Sequence, residues 1–231
     1  MSHSTDYNDY VFKDGHFVGK FEDMYRNSSD IPWHQDKLAY LIFSEIDIAI
    51  LKQFKYDSIC EIGCGLGYFT NRLKKELSSS SGENPDVTGI DISLTAVRKA
   101  NKMFPEIRFI QGDLLDKVPL SDEHYDLVVI KNVLWYVSQN LSTFLQNVVD
   151  MVKSGGFLFV SQSFPETKEW VGQGVVDSPE TLKEILSKYS DPVYICVEID
   201  WNFNKRPVVH FLGKVKRYEY NNAKSGIILT T

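Results

Sequence analysis

The sequence predicts an α/β fold: a doubly wound, seven-stranded, mostly parallel sheet with an antiparallel C-terminal hairpin strand. Three observations carry this. From Tyr56 onward, short apolar runs alternate with amphipathic segments, the rhythm of repeated βα units. The first of those runs ends in a glycine cluster, Gly63, Gly65 and Gly67. The last two runs are joined by a connection too short for a parallel crossover, which needs about a dozen residues.

The elements follow in order. The first 30 or so residues are rich in Tyr, Asp, Asn and Ser, with a turn at Lys13-Asp14-Gly15. Leu38, Leu41, Ile42, Ile46, Ala49, Ile50 and Phe54 then keep the i, i+3, i+4 spacing of one helix face, predicting a single helix from near Asp36. Ser58 to Ile62 reads as the first strand and is followed by a helix through Leu77. Val87 to Asp91 is the second strand, and Ser93 caps a helix to about Met103. Ile107 to Ile110 is the third. Tyr125 to Ile130 is the fourth, a continuous apolar run suited to burial on both faces. Ser138 is a cap for a helix to Val152, which Gly155-Gly156 ends before a fifth strand at Phe157 to Val160. Ser178-Pro179-Glu180 opens another helix, with Pro where a missing N–H costs nothing. Val193 to Asp200 and Val208 to Val215, joined by the turn-rich Asn202 to Pro207, form the hairpin. The chain thus divides into an N-terminal helical extension (1–54), the α/β domain (55–217) and a tail (218–231) left unassigned.

Composition excludes several classes. The 231 residues suffice for one domain with a sizeable core, are 43% hydrophobic, and carry a formal net charge of −6. That acidity argues against a nucleic-acid or anionic-membrane partner. The densest basic run, Lys214, Lys216 and Arg217, alternates along a strand as a solvated face. Cys60, Cys64 and Cys196 lack metal-ligand spacing, Cys60 reads as packing, and no disulfide framework or metal is expected. No apolar stretch reaches the roughly 18 residues that span a bilayer, and the polar N-terminus does not read as a signal peptide. The expectation is a cytoplasmic protein acting on a small molecule; its oligomeric state is not readable.

The chemistry centres on Glu61-x-Gly63-x-Gly65-x-Gly67 between a strand and a helix. Glycines let the backbone bend sharply and let a ligand approach the peptide plane. The carboxyl edge of the first strand is where open α/β sheets bind ligands. A dinucleotide fingerprint counted from Gly63 requires a small residue at position 68, which is Tyr68. A P-loop requires Gly-Lys-Ser/Thr, which is absent. The spacing favours a ligand whose amino-acid part lies over the turn.

Glu61-Ile62-Gly63-Cys64-Gly65-Leu66-Gly67 resembles the first motif of the class I S-adenosylmethionine-dependent methyltransferases, whose fold is Rossmann-like. The resemblance covers about residues 55 to 215. It implies that Glu61, Gly63, Cys64, Gly65 and Gly67 line the methionine part of S-adenosylmethionine, with S-adenosylhomocysteine as product. Asp91, followed by Ile92, matches the acid that binds both ribose hydroxyls; one carboxylate can accept both. Asp113, between Gly112 and Leu114, matches the acid that accepts from the adenine amino group. Any one of these acids alone reads as a solvated strand end, but three strand ends in order reverse that. After the fourth strand, Lys131-Asn132 stands where some small-molecule members carry an acid or His, and this stretch is expected to face cofactor and substrate. The resemblance extends to the nodulation-type enzymes, which N-methylate an amino sugar of a chitooligosaccharide. It rests on Ile31-Pro32-Trp33, on Val133-Leu134-Trp135-Tyr136-Val137 and on Lys168-Glu169-Trp170-Val171-Gly172. It implies that the acceptor is an amine. Separately, residues 1–54 read as a lid, with Tyr7, Tyr10 and Tyr25 closing over the site and a mobile surface arm as the plain alternative.

Methyl transfer from a sulfonium is an in-line displacement, so the protein chiefly orients the partners, worth up to about 7–11 kcal/mol. An amine must arrive neutral, whereas a hydroxyl needs a base. His3 and His16 fall in the N-terminal region and His124 in a polar turn. His34 is the candidate base or substrate ligand, with a helix-start histidine making local hydrogen bonds as its plain alternative. His210 reads as packing or exposure within a strand. Tyr136 is a second catalytic candidate, and Trp33, Trp135 and Trp170 are candidate substrate walls whose faces can attract a cation. Three functions stay open: an amine methyltransferase, an O-methyltransferase on a hydroxyl or acid, and a cofactor-binding protein without turnover.

Overall fold

The computed structural model describes residues 4–13, 16–116, 124–164, 174–200 and 206–216. Seven strands build the main sheet: β1 (Ser58–Ile62), β2 (Asp86–Asp91), β3 (Arg108–Gln111), β4 (Tyr125–Lys131), β5 (Val152–Ser163), β6 (Ser190–Asp200) and β7 (Arg206–Val215). Their spatial order is β3-β2-β1-β4-β5-β7-β6. The first five run parallel, and β7 lies antiparallel between β5 and β6. The predicted fold and its single antiparallel strand are both present.

Successive residues of the central strands enter opposite cores. Ile59, Leu127, Val129 and Phe159 pack beneath α4 (Ile42–Leu51) and α5 (Tyr68–Glu76). Cys60, Val128, Ile130, Leu158 and Val160 pack beneath α7 (Leu141–Asp150) and α8 (Pro179–Leu186). Hence the unbroken apolar run of β4: both faces are buried, and each fully buried Leu or Phe there contributes about 1.5–3 kcal/mol. Val97 and Ala100 of α6 (Leu94–Met103) close a smaller core over Ile107 and Phe109. Of the two expected caps the one at Ser93 forms, accepting from the Ala96 N–H at 3.1 Å; Ser178 caps α8 in the same way, accepting from the Thr181 N–H at 3.1 Å.

Three local expectations need correction. The single helix from Asp36 is two, α3 (Gln35–Leu38) and α4, with the chain extended at Leu41. Buried Arg72 donates to the Ala39 carbonyl and Ser44 to the Leu38 carbonyl, so the break has partners of its own. The inward face of α4 is Phe43, Asp47, Ile48, Ile50 and Leu51, while Ile42 and Ala49 face solvent. Between strands four and five, α7 starts at Leu141 after a 3₁₀ turn (Leu134–Asn140) that contains Ser138. β5 then starts at Val152, five residues early, and passes Gly155-Gly156 as an irregularity in its pairing with β4. Ahead of the sheet lie α1 (Asn8–Val11), a two-residue strand pair at Phe12–Lys13 and His16–Phe17, α2 (Phe21–Asn27) and a 3₁₀ turn (Pro32–His34). Among the described residues no helix is long and apolar enough to cross a membrane.

Candidate functional site

A cavity of about 780 Å³ opens at the carboxyl edge of β1 to β4, between that edge and the N-terminal segment. Its floor starts at the glycine turn. The N–H groups of Gly63 and Cys64 donate to the Ile90 carbonyl at 2.8 and 3.0 Å, which fastens the turn to β2. Gly63 has φ +71°, and a Cβ there would stand 2.3 Å from Val133, so only glycine fits. Gly67, with φ +81°, turns the chain into α5 against Phe109. Gly63 and Cys64 line the cavity; Gly65 and Gly67 shape the loop without lining it.

The three strand-end acids converge as expected. Glu61, Asp91 and Asp113 all line the cavity, together with Ile92, Gly112 and Leu114. Asp91 is buried, and its two oxygens accept the N–H groups of Gly65 (2.8 Å) and Ser93 (2.9 Å). Each oxygen keeps a further lone pair for a ligand hydroxyl. Burial pushes this carboxyl up to about 6, even against those two hydrogen bonds. Burial pushes Glu61 higher, to about 8, although Thr70 donates to it and the Lys131 charge favours its ionised form. One Asp113 oxygen accepts the Leu115 N–H at 2.9 Å, a local turn that holds the side chain at the rim. Ile92 is 47% exposed at the lip, an apolar surface available to a bound ring. A glycine floor, a hydroxyl-accepting acid and a second rim acid suit a nucleoside carrying an amino-acid arm.

Beyond β1 the cavity is assembled from distant segments. Lys131 ends β4 and pairs with Asp47 of α4, its ammonium 4.5 and 4.8 Å from the Phe43 and Phe69 ring centres. Asp47 also meets the Nδ1 of His210 at 2.6 Å, and both side chains are fully buried. Burial alone would raise the Asp47 carboxyl; the Lys131 charge and the His210 hydrogen bond overcome that and hold it below the ordinary range. Asn132 takes the left-handed φ of 55°, and its side-chain oxygen accepts both the N–H and the hydroxyl of Ser163. Neither the Asp47 partnership nor the role of His210 was anticipated. The available signal was a carboxylate four residues from both Phe43 and Leu51, on the inward stripe of α4.

The N-terminal segment roofs this region. Trp33 and Tyr136 line the cavity with ring centres 6.2 Å apart, and Phe21 meets Tyr136 edge-on at 5.1 Å. Trp33 and His34 hold φ of 51° and 48°, two consecutive left-handed residues costing about 1–3 kcal/mol each. His34 lines the cavity with an exposed side chain, at the solvent edge. Burial raises the Tyr136 hydroxyl above the usual phenol range, which disfavours its ionised form. Gln35 bridges roof and floor, accepting the Leu66 N–H and donating to the Tyr25 hydroxyl, each at 2.8 Å. Glu22 of α2 accepts from Ser93 and Thr95 at the start of α6, and these bonds outweigh desolvation to bring it down to about 2. Trp135 lines the cavity as well; Trp170 lies outside the described residues.

Residues 59–156 match the family described as Methyltransferase domain. Over 104 residues, 43% of this chain, the sequence is 36% identical to the non-reducing polyketide synthase ausA of Penicillium brasilianum, and spans 4% of that protein's length. It is 25% identical over 118 residues to phosphoethanolamine N-methyltransferase 1 of Arabidopsis thaliana, covering half of this chain and 23% of the plant protein. Residues 59–156 are thus similar to a methyltransferase domain, and the chain spans only a small part of the length of these relatives. Its fold is similar to that of N-methyltransferase NodS from Bradyrhizobium japonicum WM9, solved with S-adenosylhomocysteine. The TM-score is 0.65 at 21% identity, covering 85% of this chain and 99% of that one.

Proposed function

We propose that this protein transfers a methyl group from S-adenosylmethionine to the amine of a small molecule, with an amino sugar as the leading acceptor type. The observation that carries this reading is the cavity's continuity. One space runs from the acid-lined ends of β1 to β3, past Asn132, to the aromatic roof of Trp33 and Tyr136. Donor and acceptor thus have adjoining places in a single enclosure. The names of two similar proteins, NodS and the plant phosphoethanolamine enzyme, support nitrogen as the methylated atom.

The bound donor supplies an activated methyl group. Asp91 accepts the ribose hydroxyls, Asp113 the adenine amino group, and Glu61 with the Gly63–Cys64 backbone holds the amino-acid arm. The roof aromatics present ring faces to a sulfonium or an ammonium, worth about 0.5–2 kcal/mol each. They also keep water out, which favours delivery of a neutral amine. His34, exposed at the cavity's edge, would take the proton shed by the methylated ammonium and pass it on to solvent. Orientation does most of the work.

Isotope-labelled donor offered with a panel of amines and matched alcohols tests this directly. Label should enter the amines. His34→Ala should lower amine turnover by less than about tenfold, because a neutral amine needs no base to attack. Exclusive labelling of alcohols, lost on His34→Ala, would replace N- by O-methylation. Binding of the donor with no turnover on any acceptor would leave a cofactor-binding protein.

A further inference from the structure

The cavity floor is charged at both ends, with opposite sign. Glu61, Asp91 and Asp113 occupy the ends of β1, β2 and β3; Lys131 and Arg206 occupy the end of β4 and the start of β7. Because β7 runs antiparallel to β5, it begins at the edge where the parallel strands finish, and Val208 pairs with Ser163 there. Arg206, Val208 and Ser163 all line the cavity. The first residue of β7 is thereby brought to the edge where the parallel strands end.

The two cations are not equivalent. Lys131 is neutralised by Asp47 and covered by two rings. The Arg206 side chain forms no hydrogen bond or ion pair among the described residues, and its Nε is shielded from solvent although the residue as a whole is half-buried. A guanidinium does not shed its proton, and a shielded N–H donor without a partner is unfavourable. Its planar fork suits the paired oxygens of a carboxylate or a phosphate.

We propose that Arg206 seats an anionic group, carboxylate or phosphate, carried by the methyl acceptor. This rests on the reading of the cavity as a methyltransferase site and narrows its substrate to amines that also bear an acid. The same charge disfavours an ammonium nearby, so it also helps to keep the acceptor nitrogen unprotonated.

Calorimetry on protein saturated with S-adenosylhomocysteine tests the site, with inorganic phosphate and acetate as probes. At least one anion should bind saturably. Arg206→Gln should weaken that binding by about tenfold or more, and Arg206→Lys by less, because it keeps the charge but loses the fork. Affinity for S-adenosylhomocysteine should stay within about twofold in both variants. If neither anion binds the saturated wild type, or if Arg206→Gln binds them equally well, the proposal is wrong while the methyltransferase reading stands. If S-adenosylhomocysteine itself fails to bind, both fall together.

Discussion

The two halves of the cavity are built in different ways. The half proposed for the donor takes its groups from three neighbouring strand ends, and Asp91 and Asp113 each accept from a residue two places on, Ser93 and Leu115. The half proposed for the acceptor joins segments far apart in the chain: Lys131 held from behind by Asp47 and His210, Trp33 with Tyr136, Arg206 with Ser163. Local geometry makes the first half tolerant of changes elsewhere. The second depends on the packing of α4, β7 and the N-terminal segment all at once. The contrast teaches where each kind of damage should appear: in ligand affinity on one side, in the fold on the other.

The largest expected effect lies in the acceptor half. Asp47→Ala strands Lys131 and His210 without their shared counter-charge, which costs about 3–5 kcal/mol in buried pairs. For a chain of this size that lowers the thermal midpoint by roughly 6–20 °C. A change under about 3 °C in a melting experiment would show that the two halves are equally local. Acidification should act in the same direction. The Asp47 carboxyl lies below its ordinary range in the folded chain, so its contribution is present above that range and lost as pH falls through the folded value.

The donor half should respond to pH with the opposite sign. Asp91 and Glu61 titrate at about 6 and about 8 when folded, above the ordinary carboxyl range. Their contribution to stability is complete below about pH 4 and is lost as pH rises through 6 and then 8, on the order of 2–3 kcal/mol for Asp91 alone. Ligand-free protein should melt lower at pH 8.5 than at pH 5 by several degrees in the same order of magnitude. Asp91→Asn should remove the first step and Glu61→Gln the second. A flat profile would mean that neither carboxyl is ionised at a cost.

Next in size, Asp91→Ala should weaken S-adenosylhomocysteine binding at least about tenfold in calorimetry, the loss of charge-assisted hydrogen bonds to two hydroxyls. Unchanged affinity would remove the ribose assignment. The smallest effect concerns the joint between the halves. Glu22→Gln weakens the hold of α2 on the start of α6 by about 1 kcal/mol, a typical capping contribution. Trypsin should then cut faster after Lys20 and Arg26; an unaltered cleavage rate would show that the roof is held elsewhere.

Much of the fold was legible because its signals are local. Ser93 caps its helix as expected, the helix opened by Ser178-Pro179 is present, and the run from Tyr125 to Ile130 forms a strand buried on both faces. The helix over α3 and α4 was misjudged because two overlapping stripes both satisfy helical spacing. The stripe containing Asp47 looked less apolar, and only Lys131 and His210 make a buried carboxylate tolerable there. Gly155-Gly156 read as a stop, yet β5 runs through them, because pairing with β4 supplies hydrogen bonds that local propensity does not register.

By itself the sequence determined the strand-turn-helix units, the bend at Gly63 and the acids that follow it, since each depends on residues adjacent along the chain. Tertiary structure alone decided that a carboxylate in α4 would fix a lysine at the end of β4, and that an arginine from an antiparallel strand would reach the same cavity. The physical reason is that charge pairing acts through space. Which charges become neighbours is settled only when the whole sheet closes.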